Sequence, residues 1–506
     1  MALGLPALAH QPLPPPAASA EVVSSAAGGT AFSFDTVRER ARALAAKDYR
    51  AEPRKLPDFL KNLNYDGYLH IRYRPETGPW MKDHLPFTLQ FFHPGYLYQD
   101  PVRVQLIEQG RVHDFPFSPS QFDYQTNRFP APVPEDLSFA GLRVLCPLNS
   151  PGKQDEVATF VGASYFRLLG AQQRYGISAR ALAIDTAEPS GEEFPRFTEF
   201  WVTRPTAAAN TIELLALLDG PREAGAWRFV LKPGKATVAE VEASLFLRKD
   251  VRKVGLACMA SMFLAGENRT RFVPDFRPEV HDSDGLLVHT GTGEWLWRPL
   301  VNPPRDAHVS HFEMDALQGF GLAQRDRDFH HYEDLGARYE LRPTLWVQPQ
   351  TTSGAGTVEL VEIPSPNEWN DNIVAYWVPK QKPAAGQEFR WKYSLSALAG
   401  DPQRAPLLAV LSTLIEPPHD KKPPRFVIDF VGETVPPLPA NGPLTAQVKA
   451  SRGEIQNLVV QKNDVTGGWR VFFDLVAGSG EEVALRLFLQ HAERVLSETW
   501  VYYWNP

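Results

Sequence analysis

Cysteine is scarce in this sequence, which contains only Cys146 and Cys258 among its 506 residues. Two cysteines cannot supply the ligands of a zinc ribbon or an iron–sulfur cluster, and they cannot form the framework of a disulfide-rich domain. Free cysteines in folded proteins usually behave as small buried hydrophobic residues. The sequence therefore predicts two buried free thiols, with a single disulfide between them as the alternative.

Long apolar runs and an excess of positive charge are missing as well. No run of 18 apolar residues occurs, so no membrane-spanning helix is predicted. The 52 Lys and Arg residues are outnumbered by 59 Asp and Glu residues, which gives a formal net charge of −7. This balance argues against a nucleic-acid partner and against a general affinity for anionic membranes. A hydrophobic content of 43% is typical of a folded chain rather than a disordered one.

Proline and aromatic residues are abundant, and they indicate the fold class. The chain has 46 prolines and 11% aromatic residues. Proline removes a backbone donor and interrupts helices, which favours a loop-rich β protein. Short alternating runs bounded by Pro, Gly or Asp are typical of strands, and examples are residues 68–73, 87–92, 102–107 and 237–247. Their spacing leaves little room for crossover helices, so we expect a mainly β protein built as an antiparallel sandwich.

One segment, residues 32–47, has the pattern of a helix and is the clearest helix that the sequence predicts. Asp35 is its expected N-cap, because a short acidic side chain accepts hydrogen bonds from the first free backbone N–H groups. Its apolar residues fall on one stripe at helical spacing, and they are Val37, Ala41, Leu44 and Ala45.

The composition along the chain predicts four segments. Residues 1–30 are small, apolar or Pro-rich, and they are typical of a signal remnant or disordered leader of an exported protein. Residues 31–395 form the predicted large β-sandwich domain. A Pro-rich, charged linker is expected over 396–424. The short strand runs within 425–506 predict a smaller immunoglobulin-like β-sandwich domain.

Several familiar catalytic motifs do not occur. The sequence has no P-loop, no G-x-G-x-x-G after a strand, no G-x-S-x-G nucleophile elbow and no H-E-x-x-H. The pairs His330–His331 and His281/His289 lack a third ligand at metal spacing. We therefore expect no cofactor and no metal ion.

Residues 278–303 combine carboxylates with tryptophans. Asp282 and Asp284 are two residues apart, a spacing that puts both side chains on one face of a strand. Sugar rings stack their C–H faces on indole rings while carboxylates bind their hydroxyls, so such a stretch is typical of a carbohydrate cleft. A charged turn before a strand is the alternative interpretation. The stretch continues with three further candidates, which are Glu294, Trp295 and Trp297.

Two later stretches have a similar composition. Residues 318–343 contain acidic residues, arginines and Tyr339, although a solvated charged loop has the same composition. Glu368 and Asp371 precede the apolar run 373–377, which we expect to be a core strand. A carboxylate at the mouth of a buried strand lies where burial raises its pKa, as a general acid requires. A simple strand-entry turn is the alternative.

Together these stretches resemble a known family. Residues 141–201 and the three stretches above are similar to the periplasmic glucans biosynthesis proteins of the G and D types, OpgG/OpgD or MdoG/MdoD. The resemblance extends from about Phe32 to the C-terminus. It implies a large β-sandwich joined to an immunoglobulin-like domain in the periplasm. It also implies a role in making osmoregulated periplasmic glucans, whose backbone is β-1,2-linked glucose.

The resemblance further implies an activity and the residues that carry it. The family includes inverting endo-β-1,2-glucanases and relatives that transfer the cleaved chain, which branches or cyclises it. By motif, the general acid is Asp371, and the base is Asp282 or, as second choice, Asp284. Tyr339 positions substrate or relays a proton. The expected substrate contacts are Glu294, Trp295, Trp297, Arg338 and Glu368.

Two functions of different classes stay open. In the first, the chain is an enzyme that acts on the β-1,2-glucan polysaccharide. In the second, it is a non-catalytic periplasmic scaffold that holds glucan for an inner-membrane glucan synthase or a branching partner. Neither function requires a cofactor, and a homodimer is compatible with both.

Overall fold

The computed structural model describes residues 31–268, 275–403, 407–420, 422–432 and 444–505. The predicted leader, residues 1–30, lies outside these ranges. Strands are the dominant element of the described residues, so the predicted mainly β class is confirmed. Within these ranges no helix has both the length and the apolar character needed to cross a membrane.

The helices are few and short. The α-helices are α1 (Phe34–Ala45), α2 (Asp58–Lys61) and α3 (Tyr65–Leu69). Single 3₁₀ turns are formed by Pro75–Thr77, Met81–Asp83, Pro119–Gln121, Phe329–His331 and Tyr339–Leu341.

The strands follow one another along the whole described chain. In the first half they are β1 (Arg72–Tyr73), β2 (Thr88–Phe92), β3 (Arg103–Glu108), β4 (Arg111–Asp114), β5 (Phe122–Asp123), β6 (Gly141–Cys146), β7 (Asp155–Val161), β8 (Tyr165–Leu168), β9 (Ser178–Ile184), β10 (Arg196–Thr203), β11 (Ile212–Asp219), β12 (Glu223–Lys232), β13 (Thr237–Leu247), β14 (Val254–Ser261), β15 (Phe263–Ala265) and β16 (Val280–His281). In the second half they are β17 (Gly285–Thr290), β18 (Trp295–Pro299), β19 (His308–Met314), β20 (Leu317–Ala323), β21 (Thr344–Pro349), β22 (Gly356–Glu362), β23 (Ile373–Pro379), β24 (Glu388–Leu398), β25 (Ala409–Glu416), β26 (Arg425–Val431), β27 (Thr445–Ala450), β28 (Glu454–Lys462), β29 (Trp469–Val476), β30 (Val483–His491), β31 (Arg494–Val495) and β32 (Thr499–Trp504).

The described residues form three large sheets and two two-stranded ones, β1 with β5 and β15 with β16. The long sheet has 15 strands in the order β27-β30-β32-β18-β17-β20-β21-β24-β13-β12-β11-β10-β3-β4, with β31 paired to β30. The nine-stranded sheet has the order β19-β22-β23-β14-β9-β8-β7-β6-β2, and the four-stranded sheet has the order β25-β26-β29-β28. The pairings are antiparallel except for β3 with β10 and β18 with β32, as expected for a protein without crossover helices.

The long sheet serves two sandwiches. Its central strands pack against the nine-stranded sheet around a large core that includes Phe160, Phe229 and Leu395. Its other end packs against the four-stranded sheet around a second core that includes Trp297 and Trp500. The predicted large antiparallel sandwich with a smaller C-terminal sandwich is therefore what the strands form. The immunoglobulin-like topology of the smaller one stays a prediction.

One predicted domain border, between residues 395 and 396, falls inside a strand, whereas the border between 424 and 425 coincides with the start of β26. β24 continues past residue 395, and the predicted linker 396–424 contains β25, which pairs with β26. β18 pairs with β32, so the strands of 425–506 extend the long sheet. The segment 396–424 is therefore partly a strand of the C-terminal sandwich rather than a simple connection.

Helix α1 covers the outer face of the long sheet. Val37 and Ala41 are fully buried beside Trp201, which confirms the predicted apolar stripe. The predicted cap is wrong, because Asp35 lies inside the helix and pairs with Arg38. The helix begins after Ser33, and the serine N–H donates to the Thr36 hydroxyl at 3.3 Å.

The strand predicted over 68–73 is largely wrong. Residues 65–69 form α3, and only Arg72–Tyr73 is a strand. The Asn64 side chain accepts a hydrogen bond from the Gly67 N–H at 2.8 Å and so caps the helix. The Tyr68 hydroxyl donates to the His93 carbonyl at 2.8 Å. A cap and a distant hydrogen bond thus override the alternating pattern.

Both cysteines are free and buried, as predicted. Burial raises the pKa of the Cys146 thiol to about 11 and that of Cys258 to about 12. Because the thiolate is the reactive form, neither side chain is activated for chemistry at neutral pH.

Gly285, which ends the HDSDG motif, lies under the Trp297 ring. A Cβ atom at this position would lie 2.2 Å from the ring, closer than any real contact. Gly285→Ala should therefore lower the free energy of unfolding by about 1–3 kcal/mol through overpacking. Thermal melting measures this, with Gly400→Ala as the control, since a Cβ at Gly400 meets nothing within 4 Å. Equal melting temperatures for the two variants would contradict the packing argument.

Candidate active site

A short loop, residues 363–372, carries Asp371 to the start of β23. Asn372, which is 3% exposed, holds the end of this loop. Its Oδ1 accepts a hydrogen bond from the Phe263 N–H at 2.8 Å, and its Nδ2 donates to the carbonyl oxygens of Phe263 and Ile363 at 3.0 and 2.9 Å. Asp371 directly precedes this anchor and is half-buried, so it lies at the mouth of a buried strand.

Tyr165, at the start of β8, is close enough to Asp371 to be affected by its charge. Burial raises the pKa of the Tyr165 hydroxyl to about 12, and the nearby charge of Asp371 contributes to that rise. The Arg180 guanidinium lies 5.2 Å from the Tyr165 ring centre. Neither residue belongs to the acidic stretches, so no signal in the sequence pointed to them.

Arg342 interacts with the acids that the resemblance selects. Its guanidinium forms an ion pair with Asp282, which is fully buried. Burial lowers the pKa of Arg342 to about 9, and the charges of Glu368 and Asp371 oppose this shift. Arg342 thus contacts one of the two acids, Asp282, and is within electrostatic reach of the other, Asp371. Arg342 follows Tyr339 by three residues in the same charged stretch, and this proximity in sequence was the one indication that Arg342 belongs to the site.

Tyr339 and Glu368 belong to a second group of contacts beside Arg342. The Tyr339 ring lies 4.2 Å from the Arg342 guanidinium, and its hydroxyl donates to Glu368 Oε2 at 2.8 Å. Burial raises the pKa of the Tyr339 hydroxyl, so the phenol stays protonated. Arg277 Nη1 donates to the same Glu368 oxygen at 2.8 Å and to Asp334 at 2.8 Å. Glu368 is therefore held by two donors.

Asp284 has a different set of partners from Asp282. Its Oδ2 accepts the backbone N–H groups of Arg325 and Asp326 at 2.8 and 2.9 Å. The predicted shared face is wrong, because residues 282–284 lie between strands β16 and β17 rather than within a strand. Burial raises the pKa of Asp284 to about 6. The side chain of Arg325, whose backbone N–H binds Asp284, itself binds Glu498 at 2.7 and 2.9 Å.

The tryptophans of the 278–303 stretch do not line the site. Trp295 and Trp297 are 5% and 4% exposed and belong to the second core. The Arg325 guanidinium lies 3.6 Å from the Trp297 ring centre, and Trp295 stacks on Trp346 at 5.6 Å. Rings covered in this way present no face to a sugar, so their expected role as substrate contacts is corrected to a packing role.

Glu294 and Arg338, the other two expected substrate contacts, have partners within the protein. Glu294 accepts hydrogen bonds from Thr499 and Arg486 of the C-terminal sandwich, so its position corrects the expected substrate contact to a contact between strands. Arg338 donates to Glu340, and its side chain is 33% exposed. It directly precedes the turn that carries Tyr339 and therefore stays beside the site.

One group of side chains in the described ranges has the composition of a metal site. Glu279, Asp326 and His331 offer ligand atoms that all lie within 4.8 Å of one another. His331 Nδ1 bonds to Asp326, and Glu279 Oε2 bonds to His281 Nε2 at 2.8 Å. One ligand atom of each of these residues thus has a partner within the protein.

Two concave regions lie away from Asp371. A cavity of about 600 Å³ is lined by Val378, Pro379 and Lys380, at the far end of the strand that Asp371 precedes. At a rise of about 3.3 Å per residue, the length of β23 separates the two ends by roughly 20 Å. Another cavity of about 750 Å³ is lined by residues that include Phe194 and Arg222. Neither contains the acids that Arg342 interacts with.

Known proteins similar to this chain point to one family. A family model described as "Periplasmic glucan biosynthesis protein, MdoG" matches residues 32–504. A curated relative from Ralstonia nicotianae, "Glucans biosynthesis protein G", is 45% identical over 495 residues, which cover 96% of this chain and 98% of the relative. The match therefore includes both sandwiches and every residue of the candidate site.

Proposed function

This chain belongs to the periplasmic glucan biosynthesis family described as MdoG, and we propose that it acts on linear β-1,2-glucan as an inverting glycoside hydrolase or transglycosylase. Membership of this family supports a role in the biosynthesis of periplasmic glucan. The observation that carries the proposed reaction is the position of Arg342, which forms an ion pair with Asp282 and lies within electrostatic reach of Asp371. Glycoside hydrolysis uses such a pair of carboxyl groups on opposite sides of the scissile bond.

Asp371 is the proposed general acid. It is half-buried at the start of a buried strand, and the Asn372 anchor holds the backbone beside it in place. It donates its proton to the glycosidic oxygen as the bond to the anomeric carbon breaks, in a transition state with oxocarbenium character. The carboxylate that results is stabilised by the nearby Arg342 guanidinium.

Asp282 is the proposed base. It forms an ion pair with the Arg342 guanidinium, and a base acts in its carboxylate form. Inversion needs the two carboxyl groups to be about 6.5–9.5 Å apart, so that a nucleophile fits on the far side of the sugar. Because Asp282 is fully buried, the proton reaches it through a hydrogen-bonded chain of water or substrate hydroxyls.

Tyr339 and Glu368 support the base. The Tyr339 ring against Arg342 limits the positions that the guanidinium can take, and the hydroxyl is oriented by Glu368. Hydrolysis and transfer differ only in whether water or a sugar hydroxyl attacks the anomeric carbon. Transfer within one chain closes a ring, and transfer to another chain makes a branch.

Incubation of the unmodified protein with linear β-1,2-glucan tests the proposal. We expect shorter chains if water attacks, and branched or cyclic products if a hydroxyl attacks; mass spectrometry identifies a ring because it lacks one water relative to the linear oligomer. Linear β-1,3- and β-1,4-glucans are the controls. An unchanged polymer after long incubation would refute the enzyme, and binding without turnover would favour the scaffold that holds glucan for an inner-membrane synthase.

A further inference from the structure

One tryptophan differs from the rest in its exposure. Of the 12 tryptophans, all within the described residues, only Trp369 is exposed, and 62% of its surface is accessible. Burial of an indole is among the largest favourable contributions that a side chain makes to the free energy of folding. Because Trp369 is mostly exposed, it makes only a small part of this contribution. An exposed indole on a carbohydrate-active protein needs an explanation other than folding.

The loop that presents Trp369 is held at several points. Asn302 Oδ1 accepts the Ser365 N–H at 2.9 Å, and Asn302 Nδ2 donates to the Ser365 carbonyl at 2.9 Å. The Trp369 N–H donates to Asn367 Oδ1 at 3.1 Å. Together with the Asn372 anchor, these bonds hold the backbone on both sides of the indole. The ring is therefore presented to solvent in a defined place.

The surroundings of Trp369 combine apolar and charged groups. Its neighbours in sequence are Glu368 and, two residues on, Asp371. Arg277 joins Glu368 to Asp334 through one nitrogen atom. Two further apolar residues nearby in sequence are exposed. Phe276, which precedes Arg277, is 80% exposed, and Leu335, which follows Asp334, is 79% exposed. Three exposed apolar residues are thus sequence neighbours of Arg277 and its two partners, and we name this set (Phe276, Leu335 and Trp369) the apolar rim.

We propose that Trp369 is the stacking platform for a glucose unit next to the bond that Asp371 protonates, and that the rest of the apolar rim extends this surface along the polymer. The C–H face of a glucose ring covers an indole, while its hydroxyls reach Glu368 and Arg277. The identity of the sugar rests on the proposed function. The platform itself rests on exposure and on the loop contacts.

Kinetics of Trp369 variants test the platform. Trp369→Ala should raise KM for linear β-1,2-glucan by about tenfold or more, with a smaller change in kcat, because stacking contributes to substrate binding before the proton is transferred. Trp369→Phe should recover most of the affinity. Val465→Ala is the matched control, since Val465 is 95% exposed but lies on the C-terminal sandwich. An unchanged KM in Trp369→Ala would overturn the inference.

Fluorescence gives a second readout that does not need turnover. Acrylamide should quench the exposed Trp369 selectively, and linear β-1,2-glucan oligosaccharides should protect it. The quenchable fraction should fall in Trp369→Phe, and what remains should come from the half-buried Trp391 and Trp469 and show no protection by the oligosaccharides. Protection without turnover would refute the proposed enzyme and keep the platform, whereas turnover without protection would refute the platform and keep the enzyme.

Discussion

Replacing Asp371 with asparagine should lower the rate of β-1,2-glucan turnover by a factor of about 10² to 10⁴, while the polymer still binds. Asparagine keeps the shape of the side chain but has no acidic proton, so the leaving oxygen departs without protonation. The Asn372 anchor does not involve the changed group, so the loop should keep its conformation. The release of new reducing ends measures turnover, and titration calorimetry measures binding.

Asp464→Asn is the matched control for this change, because Asp464 is an exposed carboxylate on the C-terminal sandwich. It should leave both turnover and binding at the level of the unmodified protein. Full turnover by Asp371→Asn would contradict the assignment of the acid. Loss of binding together with turnover would assign Asp371 to substrate binding instead.

The sequence pattern predicted those helices and strands that bury the same face along their length. Residues 237–247 alternate strictly and form β13 with the same bounds, since one face of that strand is buried throughout. Val37 and Ala41 marked the buried side of α1 for the same reason. Residues 68–71 were assigned to a strand because alternation over such a short run does not distinguish a strand from a helical turn. The Asn64 side chain, which caps the helix, lies before this run.

Long-range pairing could not be predicted in the same way. The union of the two sandwiches depends on β18 and β32, which come from distant parts of the chain. No local pattern marks such a partner, so a Pro-rich segment was interpreted as a linker although it contains β25. The fold class followed from composition, whereas the continuity of the long sheet required the structure.

The candidate site was predictable only where a motif carries the chemistry. Asp371 at a strand entry could be predicted, because the apolar run after it indicates a buried strand. Trp295 and Trp297 could not be assigned, since an indole in a strand looks the same whether it packs on another sheet or on a sugar. Arg342 was missed because its importance comes from the Asp282 ion pair, which joins distant segments.

Asp282 and Asp284 should respond differently to the same substitution. Asp282→Asn removes the counter-ion of a buried guanidinium, and breaking a buried ion pair costs about 3–5 kcal/mol of stability. It also removes the proposed base, so turnover should fall by about 10²-fold or more in protein that circular dichroism shows to be folded. Asp284→Asn keeps an oxygen acceptor for the amides of Arg325 and Asp326, so its turnover should stay within about tenfold of normal.

The pH dependence of stability distinguishes the two carboxylates further. Burial raises the pKa of Asp284 from 3.8 to about 6, so the folded state favours the protonated carboxyl. The resulting stabilisation is complete below pH 3.8 and is lost as the pH rises through about 6. Asparagine does not ionise, so the melting temperature of Asp284→Asn relative to the unmodified protein should be higher at pH 7 than at pH 4. If kcat/KM instead falls below about pH 6 in the unmodified protein and this dependence disappears in Asp284→Asn, Asp284 is the base and Asp282 serves to hold Arg342.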